Sequence, residues 1–311
     1  MTEAVESVSG LTERIRERIR REGPITFCDW MRMALYDEHE GYYCRTDRPK
    51  WGRAGDYRTS PERSSLFAAT FTRYFARFYE ELGRPREWTI AELGAGDGSF
   101  AFVVLETLQR SFPSVYAATR YVIDEPGPNS RSIARERLLP FTDRVEFKTL
   151  DSIAVDPGIV FSNELLDAFP VHRVVRRQGR LQEFYVTLGR DDDFQWTVGE
   201  VSTPTLADYF SQGQTRLTES RVAEVNLEIE DWFRQVSGQL RAGYLVTVDY
   251  GATAEELYGS ADREQGTLRG FYQHRLVDNV LERPGEQDIT TTVDWSFVQR
   301  LGKVMGFEVC E

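Results

Sequence analysis

The stretch from Trp88 to Leu108 constrains the fold more than any other. A short apolar run, Trp88 to Leu93, leads into Gly94-Ala95-Gly96-Asp97-Gly98, after which Phe100 to Leu108 has helical spacing. A strand, a glycine turn and a helix in that order need backbone conformations closed to other residues and a close approach to a ligand. The alternation continues beyond the turn. Strands are expected at Tyr121 to Asp124, Val145 to Leu150, Ile159 to Ser162 and Gly243 to Asp249, with a helix at Ser130 to Leu138. This pattern predicts an α/β fold built on a parallel, doubly wound sheet.

Before the turn, Leu11, Ile15 and Ile19 form one helical stripe. Thr26 reads as the N-cap of a second helix, with Asp29 three residues on and Phe27, Trp30, Met31 and Leu35 as its apolar face. Cys44 to Thr59 reads as an irregular loop. Ser60-Pro61-Glu62 starts a third helix carrying Leu66, Phe67, Phe71, Phe75 and Phe78. Residues 1–85 are therefore expected to form a helical layer with a loop at the active site. Residues 86–311 are expected to form the sheet domain, interrupted by an insertion around 176–220. The insertion reads as antiparallel β, from Val174-Val175, Glu183 to Leu188 and Phe194 to Val198. Val222 to Leu240 is expected as one long helix, Trp295 to Met305 as another, and Phe307 to Val309 as a terminal strand.

Composition narrows the function classes. A formal charge of -12 disfavours broad contact with nucleic-acid phosphates or anionic membranes. No stretch approaches the roughly 20 apolar residues of a membrane span, and the acidic start Met1 to Gly10 lacks a secretion core, so cytoplasmic residence is expected. Cys28, Cys44 and Cys310, like His39, His172 and His274, are too scattered for a local metal motif, and no metal site is expected.

The chemistry centres on the glycines. In a dinucleotide fingerprint the third glycine falls three residues after the second, whereas Gly98 falls two after Gly96. That spacing favours a methyltransferase-type turn, with S-adenosylmethionine as cofactor held by Gly94, Ala95, Gly96, Asp97 and Gly98. An acid at the end of the second strand would grip both ribose hydroxyls, and Glu125 is the expected residue, with Asp124 pointing to the other side. Glu92 would anchor the turn or meet the cofactor's ammonium group, and Asp151 would reach the adenine amino group. Thr59 and Ser60 lie in Gly55 to Glu62, a loop feeding a helix N-terminus that offers amides to the cofactor's carboxylate or forms a plain cap.

The fourth predicted strand runs into Ser162-Asn163-Glu164-Leu165-Leu166-Asp167-Ala168-Phe169-Pro170. Polar groups here stand at the carboxyl edge, where open α/β sheets hold ligands. For a guanidinium or amine acceptor, Glu164 and Asp167 would bind the cation, orient its nitrogen and receive a proton, while Asn163 accepts hydrogen bonds. The bland alternative is that the two acids cap or solvate the next turn. His172 reads as a packed strand histidine before it reads as a base.

At these residues the chain resembles the MidA-like family of S-adenosylmethionine-dependent methyltransferases. The resemblance runs from Gly23-Pro24-Ile25-Thr26 through Gly41-Tyr42-Tyr43, and through Gly55 to Glu62, the glycine turn, Asn163 to His172, Asp249-Tyr250-Gly251 and Pro284 to Thr290. It implies a Rossmann-like class I methyltransferase sheet with an added N-terminal helical layer. By analogy it also implies an arginine of a partner protein as acceptor, with a respiratory complex subunit as one candidate. The family often has Pro and Arg where this chain has Ala95 and Asp97, and Asp97 brings a negative charge to the turn. Two alternatives stand beside this reading. One is a small-molecule methyltransferase with a pocket of Tyr42, Tyr43, Trp51 and Tyr57; the other is a cofactor-binding assembly factor without catalysis. Gly96→Arg should abolish S-adenosylmethionine binding in calorimetry, because a long side chain fills the turn; binding equal to wild type would remove the cofactor from this turn.

Overall fold

The structure is a computed structural model and describes residues 10–46, 65–213 and 215–310. Along the chain come α1 (Gly10–Glu22), β1 (Ile25–Thr26) and α2 (Phe27–Tyr36). Leu11, Ile15 and Ile19 line the buried face of α1, as their spacing requires. Thr26 caps α2, its hydroxyl accepting from the Asp29 amide at 3.0 Å. The chain then forms α3 (Ser65–Glu81), β2 (Trp88–Leu93), α4 (Ser99–Ser111), α5 (Pro113–Ala118) and β3 (Thr119–Asp124). It continues through α6 (Pro128–Arg137), β4 (Val145–Phe147) and β5 (Gly158–Asn163).

Beyond β5 the chain builds β6 (His172–Arg177), β7 (Arg180–Leu188), β8 (Phe194–Gly199), α7 (Thr205–Gln212) and β9 (Val222–Val225). Next are α8 (Glu228–Gln239), β10 (Gly243–Val248), β11 (Gly251–Ala252) and α9 (Ala254–Gly259). The last elements are β12 (Arg269–Tyr272), β13 (Arg275–Val277), β14 (Asp288–Thr290), β15 (Val293–Asp294) and α10 (Trp295–Val304). These elements belong to two compact units, each assembled from separated runs: residues 1–45, 167–229 and 251–300, and residues 46–166, 230–250 and 301–311.

The second unit holds a five-stranded sheet in the order β10-β5-β2-β3-β4, every pair parallel. All six residues of β2 are buried, the signature of a central strand covered on both faces. Its core is aromatic: Phe100 stacks on Phe161 at 4.3 Å between ring centroids, and Phe71 and Phe75 close around them. The chain leaves β2 towards β3 and β4 on one side, then crosses to β5 and β10 on the other. The reversal falls between β2 and β5, where Leu93 pairs with Ser162. Such a switch point opens a crevice at the carboxyl ends of the strands.

The first unit has its own core, around Leu11, Ile15, Trp30, Met31, Leu35 and Val186. Its largest sheet is antiparallel, β1-β7-β6-β9 with β8 on β7, as expected for β6 to β8. Two expectations fail. Val222 to Leu240 is not one helix: Val222 to Val225 pair with β6, and the helix begins only at Glu228. The strand ladder overrides local periodicity there, and Asn226 Oδ1 accepts the Ile229 amide as the helix starts. Phe307 to Val309 is not a strand; Gly306 at φ 84 ends the last helix and Phe307 packs edge-on against Phe233.

Candidate functional site

The glycine turn takes the conformation its sequence predicts. Gly94, Gly96 and Gly98 all have left-handed φ, at 68°, 57° and 75°. At Gly94 a Cβ would stand 2.9 Å from Leu165 Cδ1, and at Gly98 it would stand 3.0 Å from Ala134 Cβ. The Gly94 amide donates to the Asp124 carbonyl at 2.8 Å and the Gly98 amide to the Ala95 carbonyl at 3.0 Å. Ala95 packs on the aromatic core.

Glu125 directly follows β3 and is bonded to the glycine turn. It is 7% exposed, and its two carboxylate oxygens accept the Gly96 amide at 2.8 Å and the Gly127 amide at 2.7 Å. The Arg131 Nε donates to the Glu125 carbonyl at 2.7 Å. These bonds fix the orientation of the carboxylate. Asp124 turns the other way, as strand alternation dictates, and accepts the Leu150 amide at 2.9 Å. Burial pushes the Asp124 carboxyl up, the Leu150 amide opposing and Asp151 adding to the rise. Asp151 is exposed, in a single 3-10 turn after β4, and accepts from the Thr149 hydroxyl.

Asp97, the departure from the family pattern, is neutralised locally. Its Oδ1 accepts the Ser99 amide at 3.0 Å and the Ser99 hydroxyl at 2.6 Å, while its Oδ2 meets Arg137 at 2.6 Å. The acid thus serves the start of α4, where negative charge is favoured. Glu92 is treated differently. It is 4% exposed and accepts the Tyr121 hydroxyl at 2.6 Å. Burial pushes its carboxyl up to about 8, the Tyr121 bond opposing and the charges of Asp97 and Glu125 adding to the rise.

Across the switch point, Asn163 ends β5 and Glu164 follows with φ 49°, a left-handed conformation rare for a side-chain-bearing residue. The Glu164 backbone amide donates to the Val248 carbonyl at 2.9 Å, and the Asn163 side-chain Nδ2 donates to Glu164 Oε1 at 3.5 Å. The second unit therefore gathers Glu92, the glycine turn, Glu125, Asn163 and Glu164 at adjoining strand ends.

Asp167 belongs to the first unit. It is 5% exposed, and its carbonyl accepts the Thr291 amide at 3.0 Å. In the same unit Tyr36 donates to the Ala168 carbonyl at 3.0 Å and stacks on Tyr43 at 5.5 Å, and Tyr43 donates to Asp288 Oδ1 at 2.6 Å. Burial, reinforced by the charges of Asp167 and Asp288, holds the Tyr36 hydroxyl far above its ordinary range, so it stays a neutral donor.

Thr59 and Ser60, with Trp51 and Tyr57 of the alternative pocket, lie outside the described residues. His172 is a packed strand residue, its Nδ1 2.7 Å from Glu183 Oε1. Burial opposes its charge, but the bonds to Cys28 and Glu183 prevail and raise it to about 9. A group protonated at neutral pH is a poor base. Among the described residues no group of three or more metal-ligating side chains converges, and no helix is long and apolar enough to cross a membrane. Sequence reasoning missed Tyr121 and Arg137, because their partners lie 29 and 40 residues away.

A parallel sheet with a switch point beside its glycine turn, and an acid after the neighbouring strand bonded to that turn, defines an α/β fold with a crevice at its strand ends. The family described as "Putative S-adenosyl-L-methionine-dependent methyltransferase" matches residues 70–310, and the chain belongs to it. Similar proteins include the protein arginine methyltransferase NDUFAF7 homolog, mitochondrial, of Drosophila melanogaster. It is 26% identical, over 96% of this chain and 71% of its own length. The Caenorhabditis elegans homolog is 27% identical, over 96% of this chain and 73% of its own. A crystal structure from Burkholderia thailandensis, described as a "likely methyl transferase" bound to S-adenosyl-homocysteine, matches with a TM-score of 0.84 and 29% identity. That match covers 95% of this chain and 76% of the other. The protein is an S-adenosylmethionine-dependent methyltransferase.

The raised carboxyl of Glu92 sets a pH dependence. Its folded-state value of about 8 lies above the ordinary 4.5, so its contribution to stability is full below pH 4.5 and is lost as pH rises towards 8. Gln at this position still accepts from Tyr121 but carries no proton to lose. Glu92→Gln should therefore gain stability over wild type in urea unfolding as pH rises from 5 to 8; His172 titrates equally in both proteins and cancels. A gap that stays constant across that range would contradict a buried, neutral Glu92.

Proposed function

We propose that the enzyme methylates an arginine side chain of a partner protein, and that Asn163, Glu164 and Asp167 handle the acceptor. What supports this reading is the left-handed turn at Glu164, which follows the strand that pairs with β2 up to Leu93, just before the glycine turn. The cofactor supplies an electrophilic sulfonium methyl, so this chain's residues need only align the nucleophile, exclude water and take up a proton. For the cofactor, Glu125 holds the ribose hydroxyls, and Gly94, Ala95, Gly96, Asp97 and Gly98 leave room for its amino-acid arm. Glu92 stands at the foot of the turn, Asp151 stands for the adenine edge, and Thr59 and Ser60 for the cofactor's carboxylate.

A guanidinium is almost always protonated, with a pKa above about 12, so its nitrogen becomes nucleophilic only when a carboxylate draws off charge and proton. Glu164 orients the guanidinium and receives the proton, Asn163 accepts a hydrogen bond from it, and Asp167 supplies the second carboxylate. The relatives named above are arginine methyltransferases, which supports the same acceptor. On this reading residues 86–311 carry the cofactor and transfer groups, and residues 1–85 add the helical layer and its loop.

A respiratory complex subunit is the candidate partner. Among the described residues Cys28, Cys44 and Cys310 form no disulfide, which suits a reducing compartment. Cytoplasmic action is part of the reading, and cell fractionation separates it from the mitochondrial residence named for the relatives.

Methyl-labelled S-adenosylmethionine added to an extract of the source organism should label protein, with methylarginine recovered by mass spectrometry after hydrolysis. Glu164→Gln and Asp167→Asn should each lower incorporation by roughly 100-fold or more. Label found only in a small metabolite would replace the arginine acceptor with a small molecule, and full incorporation by both variants would remove these acids from the transfer.

A further inference from the structure

Asp249 follows β10, the strand that pairs with β5 in register Val248 to Asn163. Its carboxylate collects backbone donors from two segments. Oδ2 accepts the Leu165 amide at 3.1 Å and the Leu166 amide at 2.9 Å, while Oδ1 accepts the Tyr250 amide at 2.8 Å. A second bond joins the same two strand ends, from the Glu164 amide to the Val248 carbonyl at 2.9 Å. The left-handed Glu164 is thus clamped on both sides of its own peptide, and a strained residue persists only where its surroundings over-determine it. Directly after it, Leu165 reaches the glycine turn: its Cδ1 stands 2.9 Å from where a Gly94 Cβ would be.

We propose that Asp249 is a positioning residue for methyl transfer: by holding the Leu165 and Leu166 amides it fixes the Asn163–Glu164 turn and seats Leu165 against Gly94 of the cofactor turn. This inference rests on the reading of Asn163 and Glu164 as acceptor groups. On this proposal Asp249 acts on neither reactant directly. Its effect passes through the backbone of the neighbouring loop, where a displacement of about 1 Å is enough to lower a transfer rate by roughly 100-fold. A carboxylate suits the task because it only accepts hydrogen bonds, and all three of these groups are donors. Asparagine keeps one oxygen for Leu165 and Leu166 but turns an NH2 towards the Tyr250 amide. Alanine leaves all three amides without this partner.

The test is the rate of methyl incorporation into extract protein at varied S-adenosylmethionine, paired with calorimetry of S-adenosylhomocysteine. Asp249→Ala should lower the maximal rate at least tenfold while KM for S-adenosylmethionine and Kd for S-adenosylhomocysteine stay within about threefold of wild type. Asp249→Asn should fall between the two proteins. If the alanine variant does not fold, the asparagine variant decides by the same comparison. A maximal rate within twofold of wild type overturns the role, and so does a rate loss matched by an equal loss of homocysteine-product affinity, which would place Asp249 in cofactor binding. Asn163→Ala and Glu164→Gln run in parallel: full rates in those variants sink the acceptor reading itself, whereas losses there with full rates at position 249 sink only the positioning role.

Discussion

The hydrogen bond from the Gly96 amide to Glu125 is the constraint on which the rest of the site depends. A glycine turn is free to adopt many conformations, and this freedom costs entropy unless something outside the turn selects one. The selection comes from the next strand. The parallel register of β2 and β3 pairs Leu93 with Asp124, so the residue after each strand meets its neighbour, and Glu125 bridges Gly96 to Gly127. The glycine turn and Glu125 are therefore one hydrogen-bonded unit, and on the proposed reading this pre-organises the cofactor site.

The carboxyl edge of this sheet is crowded with acids, and the fold manages their charge by two routes. Most are fixed by backbone amides that parallel strands leave unpaired where they end: Glu125 by Gly96 and Gly127, Asp124 by Leu150, Asp97 by Ser99, Asp249 by Leu165, Leu166 and Tyr250. Such bonds hold each carboxylate in place, and at Asp97 an ion pair with Arg137 is added. Glu92 is bonded instead to the phenol of Tyr121 and is held neutral by burial up to about pH 8. A net acidic edge suits a cationic cofactor and a cationic acceptor alike.

Much of this was legible in the sequence because it rests on local rules. The glycine spacing, the apolar β2, the Thr26 cap and the acid after β3 each depend on a few neighbouring residues, and each stands where those rules put it. The features that escaped depend on pairings distant in sequence. Val222 to Val225 looked helical and became a strand because β6 offered an edge. Asp97 looked like an unmatched charge until α6 brought Arg137 to it. The motif Asp249-Tyr250-Gly251 was visible as a motif, yet its bond to Leu165 required knowing that β10 lies beside β5. The interleaving of the two compact units is likewise a product of long-range packing.

The central claim is that the turn after β2 and the acid after β3 together hold the cofactor. A crystal structure of the complex with S-adenosylhomocysteine tests it directly. The account predicts both ribose hydroxyls within about 3 Å of the Glu125 carboxylate, with the Gly96 amide bond to the same group intact. A ribose held by other residues, with no contact to the Glu125 carboxylate, would contradict it.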